Sequence, residues 1–111
     1  MDEVSRNSLP EGLLQDVKNY LNITWSDQET DKKISGLIAG GMIYLNDKYG
    51  GAADYTVDGA PRTLLMEYCR YARDEALDVF ENNYMSLILS MQNNRKVAAY
   101  DTMESTGTAQ P

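Results

Sequence analysis

The sequence predicts an all-α chain, a small bundle of about four helices, and three observations carry that expectation. Apolar residues recur at helical spacing along most of the chain. Helix-start signatures precede the periodic stretches. No convincing strand pattern appears; "YTV" at 55–57 is the only β-like trace. Two long helices are expected at about 27–49 and 61–81, and two shorter ones at about 9–22 and 84–99. They form a single domain over 1–100, followed by a flexible, disordered tail at 101–111.

The elements follow in order. "SLPE" at 8–11 has the form of a capping box with proline in the first turn. Behind it Leu13, Leu14, Val17, Tyr20 and Leu21 repeat at helical spacing, so a short first helix ends near Asn22. "SDQE" at 26–29 is a second capping box, and Asp27, Glu29 and Asp31 place negative charge at the positive end of the next helix. That helix stops at Gly50 and Gly51, which offer a left-handed cap. "GAADYTVDGAP" at 51–61 reads as a loop, with Asp58 or Gly59 as cap and Pro61 at the start of the third helix.

On the third helix Leu64, Leu65, Tyr68, Cys69, Ala72, Ala76, Val79 and Phe80 share one face. Glu67, Arg70, Asp74 and Asp78 fall on the other, with Arg70 and Asp74 as an i,i+4 pair. "ENN" at 81–83 weakens the helix and is expected to be a turn. A fourth segment carries Tyr84, Leu87, Ile88, Met91 and Arg95 in helical register, and periodicity ends near Tyr100.

Composition restricts the chemistry. The 111 residues carry 10 Lys and Arg against 17 Asp and Glu, a net charge of −7. That balance argues against a general nucleic-acid binder, whose affinity rests on basic groups neutralising phosphates. The chain has no histidine and one cysteine, Cys69. Ser–His and Cys–His nucleophile pairs and a structural zinc site are therefore excluded, and no internal disulfide can form. Cys69 reads as a buried, inert thiol on an apolar face. Asp74, Glu75 and Asp78 read as a solvated face rather than catalytic carboxylates. "SDQETD" lacks the glycine and terminal glutamate of an EF-hand loop. "NIT" at 22–24 matches a glycosylation sequon but reads as chance, since the acidic start Met1-Asp2-Glu3 is not expected to open a secretory signal. No enzyme, cofactor, metal or membrane span is expected.

The stretch "ISGLIAGGMIYLN" at 34–46 poses a choice between a glycine-rich phosphate loop and a helix. It lacks the Gly-Lys-Ser/Thr ending of a P-loop and no strand precedes it, so the helix is the better reading. Glycine in a helix is unfavourable by about 1 kcal/mol relative to alanine. Ile34, Leu37, Ile38, Gly41, Leu45 and Tyr49 share one face, where Gly41 lets another helix, most simply the third, come close. Gly36, Gly40 and Ile43 lie opposite. Together with Met66 and Leu77, off the main face of the third helix, they are the candidate self-association surface. The alternative is a helix covered on both sides by its own chain. Tyr44 and Tyr71 point away from the expected core; they suit an interface or half-buried positions equally.

The succession "LLQDVKNYLNI", "WSDQETDKKISGLIAGGMIYLNDKYG" and "YCRYARDEALDVFENNYMSLILSMQ" resembles the phage head–tail connector (adaptor) family, also described as DNA-packaging proteins. The resemblance rests on Val17, Lys18, Tyr20, Leu21 and Ile23, then on Asp31, Ile34, Leu37, Ile38, Tyr44, Leu45 and Gly50. It covers roughly 13–91 and consists of diffuse apolar patterns. Gly40 and Gly41 depart from it, since related sequences often have alanine there. The resemblance implies a non-enzymatic bacteriophage virion protein. It would form a ring of about twelve subunits beneath the portal protein, extend the DNA channel without binding DNA specifically, and present a platform to the next neck or tail-completion protein. It would reside at the virion neck, and in the host cytoplasm before assembly. An acidic channel lining would keep phosphates from sticking. The alternative expectation is a small helical adaptor or regulator that binds another phage or host protein.

Overall fold

A computed structural model describes residues 9–108, with side chains described through Val97. It contains four helices and, among the described residues, no strand: α1 (Leu13–Tyr20), α2 (Gln28–Tyr49), α3 (Ala60–Arg73) and α4 (Leu77–Thr108). Helix α3 packs against both α2 and α4, while α1 packs against α2 and α3. The core holds Leu13 and Val17 of α1, Ile34, Ile38 and Leu45 of α2, Leu64, Leu65 and Cys69 of α3, and Phe80, Ile88 and Met91 of α4. Burial in this apolar setting pushes the Cys69 thiol up to about 12.

The local signals explain where each helix starts and stops, and they correct several expected boundaries. Before α1, 10–12 form a turn; Leu13 N–H donates to the Pro10 carbonyl at 3.1 Å, and Gly12 takes a left-handed φ of 82°. The helix therefore starts later than the "SLPE" signature suggests. The cap of α2 is Asp27, not Ser26: its carboxylate accepts from Thr30 N–H at 2.9 Å and from the Thr30 hydroxyl at 2.7 Å. Gly50 ends α2 at φ 89° as expected.

Helix α3 is shorter than expected, because the chain turns at 74–76 rather than at 81–83. Ala76 N–H reaches the Tyr71 carbonyl at 2.8 Å and Glu75 N–H the Ala72 carbonyl at 3.1 Å. These are the two bonds of a Schellman cap, with Glu75 at φ 57° in the position glycine usually fills. The expected i,i+4 pair is replaced too: Arg70 binds Glu67 at 2.6 Å, and Asp74 caps the helix. The "ENN" segment is helical, and α4 departs from helical geometry one residue later, at Tyr84 (φ −113°, ψ 15°). The α4 backbone is helical to Thr108; the expected tail at 101–111 falls where side chains are not described, and 109–111 lie outside the described residues.

Folding back at 74–76 brings Phe80 into the centre of an aromatic cluster. Tyr84 stacks on it at 5.2 Å, and Tyr68, Tyr71 and Tyr44 meet it edge-on at 5.6, 5.6 and 6.1 Å. Tyr44 and Tyr71 are thus half-buried within the chain. The loop between α2 and α3 is pinned by buried Tyr55, whose hydroxyl donates to Asn46 Oδ1 at 2.7 Å.

A second polar hub ties three helices together. Glu67, expected on the solvated face, is 6% exposed. It accepts hydrogen bonds from the hydroxyls of Tyr20 on α1 and Tyr84 on α4, and from the Arg70 guanidinium. The Arg70 bonds, with those of the two tyrosines, hold its carboxyl down at about 2, against burial that pushes the other way. On the far side of α1, buried Lys18 pairs with Asp31 of α2 at 2.7 Å.

Four substitutions test this packing. A Cβ at Gly41 would stand 2.8 Å from both Leu65 Cδ1 and Tyr68 Cδ1, whereas one at Gly36 would meet nothing within 4 Å. In thermal or urea unfolding, Gly41→Ala should therefore destabilise by about 1–3 kcal/mol, and Gly36→Ala should stabilise by up to about 1 kcal/mol. Glu75→Gly should stabilise by about 1 kcal/mol by relieving the left-handed φ. Glu67→Gln should cost about 2 kcal/mol at pH 7. Because the folded carboxyl titrates at about 2 rather than 4.5, wild-type stability is fully present above about pH 4.5 and lost as pH falls towards 2; urea titrations at pH 7 and pH 3 should show this acid loss shrink in Glu67→Gln.

Candidate self-association surface

Position along the helices decides which side chains are left outward. On α2 the inward set Ile34, Ile38, Gly41 and Leu45 leaves Gly36 and Ile43 on the solvent side. Ile43 is 73% exposed, the highest value among the large apolar residues whose side chains are described. Gly40 sits at the edge of this face, where an added Cβ would be 3.6 Å from the Tyr68 hydroxyl. It therefore belongs partly to the packing of α2 on α3.

Two members of the expected surface are placed elsewhere. Met66 is 6% exposed, because α1 and the start of α3 close over it; Asp16, Asn19, Tyr20, Arg62 and Thr63 line the same shallow recess. Leu77 is partly exposed but opens α4 instead of continuing α3, so it shares no face with Met66. Gly36 and Ile43 remain on one outward strip, with Gly40 at its margin.

A second outward strip lies on α4, outside the expected surface. Beyond Tyr84, α4 buries Ile88 and Met91 and turns Met85, Ser86, Leu89, Ser90 and Asn93 outward. Leu89 is 54% exposed and forms a shallow depression with Ser86, Ser90, Gln92, Asn93 and Lys96. The signal that could have found it is charge. At 24% charged residues, a run of 13 would carry about three charges. The two longest runs with none are 34–46 and 82–94. An uncharged inner face needs no explanation beyond the core. The outward halves of these two runs are also uncharged, and exposed helix faces are ordinarily polar and charged. Charge depletion is what distinguishes the centre of an interface from the remaining surface.

The ends of both strips are marked by charges. Lys33 precedes the α2 strip and Asp47 follows it; Asp78 precedes the α4 strip and Lys96 follows it, and all four are exposed. Among the described residues no group of three His, Cys, Asp or Glu side chains is placed to hold a metal. None of the described helices is long and apolar enough to cross a membrane. No family model, curated protein or solved structure matches this chain.

Ile43→Lys and Leu89→Lys change only outward side chains. Each should leave monomer stability within about 0.5 kcal/mol of wild type and weaken concentration-dependent association at least tenfold by sedimentation equilibrium. A loss of fold in either variant would place that residue in the core instead.

Proposed function

We propose that this chain is a structural connector of a phage virion, assembling as a ring beneath the portal protein at the head–tail junction. The observation that carries the reading is the pair of outward, uncharged helix strips on a small and otherwise charged chain. A monomeric enzyme or buffer-exposed regulator has no use for two such strips on different helices, while a ring subunit needs one for each neighbour. The apolar pattern that resembles the connector family adds the particular assembly. It runs through α1, α2, α3 and the part of α4 that packs on them, and its positions Val17, Ile34, Ile38 and Leu45 are buried.

The net charge of −7 suits a conduit through which DNA slides without holding. Beyond Arg95, whose guanidinium lies 4.9 Å over the Tyr49 ring, helix α4 continues for 13 more residues to Thr108. In this reading that arm docks on the portal protein or on the next neck component. The competing reading, a small adaptor for another phage or host protein, uses the same strips on a different partner.

Portal rings mixed with excess purified chain and imaged in negative stain separate the two. The connector reading expects an added annulus of density coaxial with the portal channel. Portal rings that stay bare at saturating concentration contradict it and leave the adaptor reading.

A further inference from the structure

We infer that neighbouring copies join head to tail, the outward strip of α4 on one copy packing in parallel on the outward strip of α2 on the next. The inference rests on the proposed ring and names the two faces that build it. Four features of the chain support it.

The first is shape. Around Gly36 the α2 strip has no side chain, and an added Cβ there meets open space. The α4 strip presents Met85 and Leu89 one turn apart. Small residues on one helix let a partner's long side chains approach its backbone. The second is length. Asp47 follows Gly36 by eleven residues, and Lys96 follows Met85 by eleven. When Met85 lies over Gly36, Leu89 lies over Gly40 and Lys96 over Asp47.

The third is the sense of the pairing. Antiparallel strips would bring Lys96 to Lys33 and Asp47 to Asp78, like charges at both ends. Parallel strips in this register bring Lys96 to Asp47, whereas Asp78 falls four residues short of Lys33, at Glu29. The opposite charges of Lys96 and Asp47 favour the parallel arrangement, in which the antiparallel Lys96–Lys33 and Asp47–Asp78 approaches are avoided. The fourth is the choice of partner. Two copies each at −7 repel over most of their surface. Uncharged strips meeting each other is the contact that brings the fewest carboxylates together.

The contact is heterologous: the two surfaces differ, so an open chain of copies keeps one free strip at each end until a ring closes. A two-fold dimer would instead put α2 on α2 or α4 on α4.

Cysteine pairing distinguishes these arrangements. Ile43→Cys and Asn93→Cys come within one residue of facing each other in this register, and native Cys69 is buried and stays in place. Under mild oxidation of concentrated protein, the double variant should give a ladder of dimers, trimers and larger species on a non-reducing gel. Each single variant should remain at least fivefold less cross-linked. A single variant that dimerises as well as the double one would show a two-fold contact and overturn the inference. So would a double variant no more cross-linked than a control pairing Thr56→Cys with Asn93→Cys, or one that forms only an internal disulfide. A charge exchange supplies an independent reading. Asp47→Lys or Lys96→Glu alone should weaken association about fivefold, and the two together should restore it; failure of the pair to restore it contradicts the parallel register. Portal binding without a ladder would reject this contact and keep the connector reading, and a ladder without portal binding would do the reverse.

Discussion

The architecture depends on one close approach, that of α3 to α2 at Gly41. Leu65 and Tyr68 occupy the space where a Cβ would stand. With the two helices drawn together there, Tyr68 reaches Tyr44 at 5.7 Å, and Phe80 is seated against both. Helix α4 is then held against α3 by the aromatic cluster and by Glu67. The fold is thus a sequence of dependencies that starts at one missing side chain. The same helix carries another glycine, Gly36, which lowers helix stability and gains nothing from its own chain. In the proposed ring, the open space at Gly36 is where a neighbouring copy's side chain would pack.

Much of the fold was legible in the sequence because its helices have clear apolar periodicity and real end signals. The core faces of α1, α2 and α3, the Gly50 cap and the role of Gly41 all follow from spacing. The end of α3 was not legible. Its left-handed cap residue is Glu75, which carries none of the glycine signal that marked Gly50. The apolar residues on either side of the turn, Ala72 and then Ala76 and Phe80, kept helical spacing across it by coincidence. Tertiary hydrogen bonds decided Glu67: a glutamate on a polar stripe gives no sign that Tyr20 and Tyr84, from two other helices, will converge on it.

The candidate surface was legible in part for a similar reason. Gly36 and Ile43 are outward because α2 is regular, and a wheel places them correctly. Met66 was misassigned because α1 covers it, and no single-helix wheel contains that contact. The α4 strip was missed because serine, asparagine and glutamine read as ordinary surface. Only the absence of charge over 82–94, seen beside the same absence over 34–46, sets it apart. Depletion is a weak signal residue by residue and a useful one over four helical turns.

In the proposed assembly these two strips, solvent-exposed in the monomer, are covered by neighbouring copies. Hydroxyl-radical footprinting of the chain at low and high concentration tests it directly, because side-chain reactivity follows exposure. Ile43, Met85 and Leu89 should lose reactivity together as concentration rises, while exposed Trp25 and Val57 keep theirs. Protection of Trp25 and Val57 with Ile43, Met85 and Leu89 unchanged would contradict it.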